Sequence, residues 1–333
     1  MKTLVTGASG FIGQNLVPRL IELGHNVRTF GRASAAPIAL AKLGVEHARG
    51  DVTNPEQVAQ AVEGCEMVFH LAGLVSYRKK DLPRQYAVNV LGTRHVMQAC
   101  LKEKVSRVVH TSSVAALGLP RKGEIGDEEI EYNLSGLGLA YCDTKHEAEE
   151  EVMKFYSNGL NVILLNPGII FGEGDTHPHH HAIFAAMSKG SLIGVPPGGV
   201  TFSDIHDVVD AYISCLSKGR FGQRYALVSS NLSFKEAANI FAKLSGARPP
   251  LFKIPGAVLV ALGTLAEDFM PSMGINPPLT RQAAWLSQHD IFFSADKARA
   301  ELGFQPTPFE ETVRRTAPYY LGKASASHNN KVG

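Results

Sequence analysis

The sequence predicts an α/β protein built on a doubly wound parallel sheet. Short runs of β-branched and apolar residues alternate with helical patterns through the first half of the chain, as in successive βαβ units. Several runs, such as residues 108–113 and 162–168, are apolar on both faces, which is typical of strands that helices cover on each side. A glycine-rich turn directly after the first run supports the same class.

Six stretches are expected to form strands of this sheet: residues 2–6, 26–30, 45–49, 67–72, 107–111 and 162–166. The first helix is expected over residues 12–23, because apolar residues recur there every three or four positions and Gly24 follows as a stop. Pro18 within this stripe predicts a local kink or a lost hydrogen bond. Another helix is expected over residues 55–62, with Asn54 as its N-cap and Pro55 in its first turn.

The pattern changes after residue 170. Helices are expected over residues 203–216, 233–244 and 294–302, the last opened by Ser294, and a strand is expected near 224–229. We therefore divide the chain into a domain of residues 1–170, to which the strand near 224–229 returns, and a smaller C-terminal region of residues 171–320. Residues 323–333 have no apolar pattern and are expected to form a flexible tail.

Composition narrows the function classes. The chain has 333 residues, 44% of them hydrophobic, and a formal net charge of +2, which argues against a disordered chain and against a nucleic-acid binder. Four widely spaced cysteines without a C-x-x-C pair argue for a reducing, cytoplasmic location and against a structural zinc site. No secretory signal pattern is visible. The longest apolar run, 256–266, is shorter than the ~20 residues of a membrane span. We expect it to form a buried helix, with a membrane-surface or partner contact as the alternative.

The turn after the first strand has the glycine spacing G-x-x-G-x-x-G. Gly7 allows the tight turn, Gly10 lets backbone N–H groups approach a pyrophosphate, and Gly13 lets the helix pack closely on the sheet. The motif indicates a Rossmann-type dinucleotide site with the pyrophosphate at the positive end of the first helix. The residues expected to contact the cofactor here are Gly7, Ser9, Gly10, Phe11, Ile12 and Gly13.

The end of the second strand predicts the choice of cofactor. An NAD site needs a carboxylate there for the ribose 2′-hydroxyl, but no acidic residue occurs between Glu22 and Glu46. Arg32 stands in its place, and a guanidinium suits a 2′-phosphate by charge and geometry. We therefore expect NADP(H), with NAD(H) as the alternative. Arg32 as a solvated loop charge is the other interpretation.

Lys145 comes four positions after Tyr141, so the two side chains share one face of a predicted helix. An ammonium beside a phenol lowers the pKa of the phenol from its usual ~10. Ser112 and Ser113 follow the strand over 107–111 and therefore lie at the carboxyl edge of the sheet, where such sheets bind ligands. These side chains are the candidates for chemistry.

The glycine turn, the serines, the Tyr/Lys pair and the segment Asn166-Pro167-Gly168 follow one another in an order that resembles the extended short-chain dehydrogenase/reductase superfamily. Within it the chain resembles the NAD-dependent epimerase/dehydratase family, and most of all its dihydroflavonol-4-reductase-like members. The resemblance implies that Ser113 orients a carbonyl, that Tyr141 gives it a proton, and that Lys145 holds both Tyr141 and the cofactor. It implies further cofactor contacts at Asp51, Val52, Leu71, Ala72, Gly73, Thr111, Ser112, Tyr141, Lys145, Pro167, Gly168 and Ile170.

By the same resemblance, residues 1–170 form an NADP-binding domain, and residues 171–320 form mainly a substrate-binding region. The expected activity is NADPH-dependent reduction of a ketone or aldehyde on a small organic substrate. Asp51 has a second interpretation, as the residue that holds the turn before Asn54, and Asn89 is expected to be structural, bracing a helix against the fourth strand. A homodimer is common among such proteins.

Two other functions stay open. One is a nucleotide-sugar epimerase or dehydratase that retains NAD, and the other is a non-catalytic NADP-sensing protein. Four histidines at 177 and 179–181 could ligate a metal, but the chemistry of the superfamily needs none, so a loop that closes on substrate is preferred and no metal site is expected.

Overall fold

A computed structural model describes residues 1–175, 186 and 192–320. In chain order the strands are β1 (Lys2–Thr6), β2 (Asn26–Gly31), β3 (Glu46–Arg49), β4 (Met67–His70), β5 (Arg107–Thr111), β6 (Val162–Pro167), β7 (Ile169–Phe171), β8 (Gly194–Val195), β9 (Gly199–Asp204), β10 (Arg224–Leu227), β11 (Ser230–Ser233), β12 (Phe252–Lys253) and β13 (Asp290–Ile291). The six strands expected in the first half are confirmed, each within two residues at its ends.

The helices are α1 (Phe11–Glu22), α2 (Ile38–Ala41), α3 (Pro55–Val62), α4 (Leu82–Tyr86), α5 (Gly92–Lys102), α6 (Ala140–Ser157), α7 (Ile205–Ser214), α8 (Phe234–Ser245), α9 (Gly256–Phe269), α10 (Arg281–Leu286), α11 (Asp296–Leu302) and α12 (Phe309–Tyr320). A π-helical segment, Ala87–Leu91, joins α4 to α5, and short 3-10 turns lie at Lys79–Asp81, Val114–Ala116 and Met270–Met273. Helix α1 runs without a break through Pro18.

Seven parallel strands form the central sheet, in the order β10-β6-β5-β4-β1-β2-β3. The chain runs outward from β1 in both directions, so the switch in strand order lies between β1 and β4. Ligands of open α/β sheets bind in the crevice at the carboxyl ends of the strands beside such a switch. The predicted doubly wound, Rossmann-type sheet is confirmed.

Each face of the sheet buries its own apolar cluster. Leu4 on β1 packs with α3, α5 and α6 on one face, whereas its neighbour Val5 packs with α1 and α7 on the other. The same alternation holds for Val68 and Phe69 on β4, because successive side chains of a strand point to opposite faces. This double cover explains why these strands read as continuous apolar runs.

A side chain completes the edge of the sheet at β10. The backbone N–H of Ala226 donates to the Oε1 atom of Glu128 over 2.7 Å, and Arg224 donates to the carbonyl oxygen of Glu128. Glu128 is only 3% exposed, and burial raises the pKa of its carboxyl. The Glu128 carboxyl therefore satisfies a backbone N–H of the edge strand β10.

The second sheet is built around β9, which pairs antiparallel with β11 and parallel with β7 and β13. Phe171, Phe202 and Phe309 form its apolar centre, with 4.4 Å between the ring centroids of Phe202 and Phe309. Its strand β7 follows β6 directly in the chain, so the second sheet continues from the carboxyl edge of the large sheet.

Two predicted helices in this region begin two residues later than expected. The helix expected from residue 203 begins at Ile205, because residues up to Asp204 complete β9 and the Asp204 side chain accepts a hydrogen bond from the His206 N–H over 2.8 Å. The helix expected from Ser294 begins at Asp296, whose N–H donates to the Ser294 hydroxyl over 3.0 Å. Helix α8 begins one residue after the predicted start, since Ser233 forms a capping box with Glu236.

The apolar run expected to be a buried helix is exposed on one side. Helix α9 packs on α10 through Leu259 and Gly263, where an added Cβ would lie 2.8 Å from the carbonyl carbon of Thr280. A stripe on its other face is 46–64% exposed: Val258, Leu262, Leu265 and Phe269. The expectation fails because one short helix covers only one face of α9. No helix within the described ranges is long and apolar enough to cross a membrane.

Candidate active site

The turn after β1 fits tightly against the end of β4. Gly7 has a φ of +68°, and an added Cβ would lie 2.7 Å from the backbone nitrogen of Ala72. At Gly13 an added Cβ would lie 2.5 Å from the Cα atom of Ala8, which is backbone and cannot move aside. Both glycines are therefore required by close backbone approach, as the motif predicts.

The first turn of α1 is open for an anion. Gly10 is its N-cap, with no side-chain cap, and no acidic residue lies in the first turn. Ser9 and Gly10 are exposed, whereas Phe11 is buried and Ile12 half-buried. Free N–H groups at a positive helix end match the chemistry of a pyrophosphate, so this part of the chain fits a dinucleotide.

The arginine expected to read the 2′-phosphate is exposed directly after β2. Arg32 forms no ion pair or hydrogen bond with the residues that the structure describes. Arg28, which lies within β2, is already paired. Its side chain forms an ion pair with Glu46 over 2.8 Å and donates to the carbonyls of Ala61 and Glu63. Arg32, unlike Arg28, is therefore available for a ligand.

Asp51 already has a structural task. Its Oδ1 atom accepts hydrogen bonds of 3.0 Å from both the N–H and the hydroxyl of Thr53. Val52 is buried beside Gly92, and its carbonyl oxygen lies 3.0 Å from His95 Nδ1. One carboxylate oxygen of Asp51 therefore holds the turn, in agreement with the second interpretation of this residue.

Tyr141 and Lys145 lie one turn apart on α6 and are 8% and 7% exposed. The Lys145 Nζ donates to the carbonyl oxygen of Thr111 over 2.9 Å, and an added Cβ on Gly73 would lie 3.5 Å from that Nζ. The ammonium therefore lies beside the carboxyl ends of β4 and β5. Burial lowers the pKa of Lys145 to about 8, and the charge of Glu149 opposes this shift.

Burial raises the pKa of Tyr141 to about 12, although a hydrogen bond from Ser113 opposes the rise. The Ser113 hydroxyl also accepts a 3.2 Å hydrogen bond from the N–H of Ala115. Ser113, Tyr141 and Lys145 thus lie together at the carboxyl edge of the sheet. In this arrangement the phenol is held in its protonated form.

The two residues before Ser113 differ from each other. The Thr111 hydroxyl shares a 2.5 Å hydrogen bond with the hydroxyl of Tyr212 on α7, so it faces that helix. Ser112 is 3% exposed, and its hydroxyl has no partner among the described residues. Of the two hydroxyls that were expected beside a cofactor, that of Ser112 is the one without a partner among the residues that the structure describes.

The segment after β6 turns toward the second sheet. Pro167 is buried, Ile170 is half-buried, and the N–H of Gly168 donates to the Ser203 hydroxyl over 2.9 Å. An added Cβ on Gly168 would lie 2.4 Å from the carbonyl oxygen of Thr201, so this glycine is also required by packing.

Tyr77 is a site residue that no sequence motif indicated. It follows β4, and its ring lies edge-on to that of Tyr141 with 5.5 Å between centroids. The Tyr77 hydroxyl forms no hydrogen bond with the rest of the described chain. The one signal in the sequence is an aromatic residue four positions after Gly73, at a sheet edge already expected to bind ligand.

The loop that carries Tyr77 is held at several points. Asn89 accepts from the N–H of Leu74 over 2.7 Å and donates to its carbonyl oxygen over 3.1 Å, which confirms the structural role expected for Asn89. The Gln85 amide donates to the carbonyls of Leu74 and Ser76. Asn89 lies in the π-helical segment, and such bulges often mark functional sites.

The histidines at 177 and 179–181 lie outside the described residues. Among the residues that are described, no group of three or more His, Cys, Asp or Glu side chains could hold a metal ion. All four cysteines are buried and free.

Comparisons with known proteins match nearly the whole chain. The 3-beta hydroxysteroid dehydrogenase/isomerase family matches residues 4–209. A protein of Synechocystis sp. that carries the provisional name dihydroflavonol 4-reductase is 29% identical over 93% of this chain and 91% of its own. "Sterol demethylase protein B" of Methylococcus capsulatus is 32% identical over 92% and 94% of the two chains. The crystal structure of gox2253 has a TM-score of 0.82 and 30% identity, and covers 96% of this chain and 98% of that one.

Proposed function

The chain belongs to the 3-beta hydroxysteroid dehydrogenase/isomerase family, as an NAD(P)-dependent oxidoreductase of the extended short-chain dehydrogenase/reductase type, and on this premise we propose that it reduces an apolar ketone or aldehyde with NADPH. The observation that carries the proposal is that Ser113, Tyr141 and Lys145 lie together at the carboxyl edge of the sheet. Burial keeps the Tyr141 phenol protonated there. A neutral phenol suits the reductive direction, because reduction of a carbonyl needs a proton donor.

The residues present fit a bound NADP(H), which would supply the hydride. The N–H groups that open α1 would hold the pyrophosphate, and Arg32 would pair with the 2′-phosphate. Lys145 would hold the ribose next to the reacting ring, since its Nζ lies beside Gly73 and Thr111. In this proposal residues 1–170, with β10, bind the cofactor, and residues 171–320 mainly bind the substrate.

Side chains of the protein orient the carbonyl and supply its proton. The Ser113 hydroxyl donates to the carbonyl oxygen and orients it. As the carbon gains its hydride, the Tyr141 hydroxyl transfers its proton to the same oxygen, which gives the alcohol and leaves a phenolate that water must reprotonate. The positive charge of Lys145 favours this phenolate while it exists.

The preference for NADP(H) is supported by Arg32, which is exposed and free of ion pairs in the described chain, and by the absence of an acidic residue between Glu22 and Glu46. NAD(H) remains the alternative. The apolar character of the substrate is supported by Tyr77 beside Tyr141 and by Val75 on the same loop, which is 52% exposed. The sterol in the name of one relative agrees with this substrate class.

The test is a panel of apolar ketones and aldehydes with NADPH, followed by NADPH oxidation and identification of the alcohol. Tyr141→Phe should lower turnover by about 10²-fold or more, the size of a lost proton donor. Its NADPH affinity should stay close to wild type. Turnover that survives in Tyr141→Phe would remove the proposed role. NAD retained through purification, with no net oxidation of NADPH, would favour the epimerase alternative.

A further inference from the structure

A buried carboxylate lies one helical turn beyond the lysine of the active site. Tyr141, Lys145 and Glu149 follow one another at intervals of four residues on α6 and therefore share one face of the helix. Glu149 is 4% exposed. The proposed reaction does not use it, yet a charged group is not buried at this depth without compensation.

Glu149 has two polar partners on neighbouring strands of the sheet. Its Oε1 atom accepts a hydrogen bond of 2.6 Å from Asn166 Nδ2 on β6, and its Oε2 atom lies 3.6 Å from Arg224 Nη1 on β10. The same Asn166 Nδ2 donates to the carbonyl oxygen of Ser113 over 3.0 Å. One amide thus connects Glu149 to the backbone of the serine in the site.

Charges around Lys145 come from few groups. His70 on β4 and His110 on β5 are fully buried, and burial lowers the pKa of both, that of His70 to about 3, so both rings are neutral at working pH. On α6 itself Tyr141 is neutral, and Glu149 is the group whose charge raises the pKa of Lys145. Arg224 Nη1 lies 3.6 Å from the Oε2 atom of Glu149, so its charge partly compensates that of Glu149.

We propose that Glu149 is a positioning residue that keeps Lys145 charged at the site and, through Asn166, fixes the backbone of Ser113. The proposal rests on the proposed function for the use of Lys145 in catalysis. Its physical basis is independent of the substrate: a buried ammonium loses its proton easily unless a negative charge compensates for lost hydration.

The first variant is Glu149→Gln, whose amide keeps an oxygen for Asn166 while the charge is removed. Lys145 should then lose its proton at a lower pH. The basic limb of kcat/KM for carbonyl reduction should move down by about one pH unit, so that kcat/KM just above the wild-type limb falls about tenfold. The pH above which NADPH binding weakens, measured by fluorescence without substrate, should move in the same direction.

The second variant is Arg224→Met, which removes the positive charge on the far side of Glu149. Lys145 is then surrounded by more negative charge, so its pKa should rise. The basic limb of kcat/KM should therefore move to higher pH, by less than one unit. Opposite shifts from two variants are not expected from general loosening of the fold. Arg224 is half-buried at the sheet edge, and Asn166 still donates to Glu149 in this variant, so the carboxylate keeps one partner.

The matched control is Glu151→Gln on the same helix. Glu151 is 6% exposed and pairs with the exposed side chains of Arg94 and Lys154, each over 2.7 Å, so its loss also breaks the ion pairs of a buried carboxylate. It contacts neither Asn166 nor Arg224, so Glu151→Gln should lower the melting temperature and leave the limb unmoved.

The proposal is overturned if Glu149→Gln lowers kcat/KM equally at every pH, or if Arg224→Met moves the limb in the same direction as Glu149→Gln. It is also overturned if Glu151→Gln moves the limb as far as Glu149→Gln. If the wild-type chain reduces no carbonyl, the proposed function fails. The pH dependence of NADPH binding then still decides the role of Glu149.

Discussion

The ring of Tyr77 lies edge-on to the ring of Tyr141, with centroids 5.5 Å apart and planes inclined by 69°. The two residues come from different elements, the loop after β4 and the first turn of α6. Arg78, next to Tyr77, pairs with Asp81 and donates to Asn276 over 2.7 Å, which ties this loop to the C-terminal region. Tyr77 therefore lies against the phenol, on a loop that also contacts the part of the chain proposed to bind substrate.

Removal of the Tyr77 ring should weaken the binding of apolar substrates. Tyr77→Ala should lower kcat/KM about 10- to 100-fold, mainly through KM, since a buried aromatic side chain contributes about 1.5–3 kcal/mol. Tyr77→Phe keeps the ring and should stay within about twofold of wild type. Steady-state kinetics on an apolar ketone measures both. Tyr86→Ala, at an exposed position on α4, is the control, and wild-type kinetics in Tyr77→Ala would contradict the assignment.

Loss of the guanidinium after β2 should change the cofactor preference. Arg32→Ala should weaken NADPH binding about 10- to 100-fold, because a charge-assisted hydrogen bond contributes about 1.5–3 kcal/mol. NADH binding should change little. Titration of both cofactors by fluorescence gives the ratio, with Lys42→Ala as a control at another exposed cation. Tighter binding of NADH than of NADPH by the wild-type chain would reject NADP(H) as the cofactor.

Carbonyl reduction should be lost as the pH rises through about 8. Burial lowers the pKa of Lys145 to about 8, so the side chain is charged below this pH and neutral above it. Tyr141 keeps its proton over this range, because burial raises its pKa to about 12. The pH profile of kcat/KM measures the limb. Lys145→Arg, which stays charged, should be slower but should lack this limb, and a limb that persists in it cannot belong to Lys145.

Folding should depend on the missing side chain at Gly13. Gly13→Ala places a Cβ 2.5 Å from the Cα atom of Ala8, so the backbone must shift, and we expect a loss of about 1–3 kcal/mol in the free energy of unfolding. Urea unfolding of the chain without cofactor measures it. Gly31→Ala is the matched control, because an added Cβ there meets nothing within 4 Å and its stability should change by less than about 0.5 kcal/mol. Equal losses in both variants would show that close packing is not the cause.

Much of the first half could be predicted because its signals are local. Strands β1, β4, β5 and β6 follow from short runs of β-branched and apolar residues, and the tight turn at Gly7 follows from glycine spacing. The common face of Tyr141 and Lys145 follows from the helical repeat alone. Each of these inferences concerns residues at most a few turns apart in the chain, where backbone geometry leaves few choices.

Predictions failed where burial depends on distant neighbours. The apolar stripe of α9 resembles that of a core helix, but whether anything covers it depends on α10 and on how the second region packs. The start of α7 at Ile205 depends on β9 pairing with three other strands, which extends strand structure to Asp204. Local propensity cannot report such pairing.

The amino-acid order alone is enough for the parallel sheet, the glycine turn and the common helix face of Tyr141 and Lys145, because helix and strand periodicity act over short distances. The choice of Ser113 rests on the resemblance to a known superfamily. The amino-acid order carries no sign that Tyr77 reaches Tyr141, 64 positions away, or that Glu149 meets Arg224, 75 positions away. Those pairs exist because the fold places the loop after β4 and the edge strand β10 within reach of side chains on α6. Side chains remote in sequence meet only after the sheet has assembled, and their charges and packing then adjust the chemistry of the site.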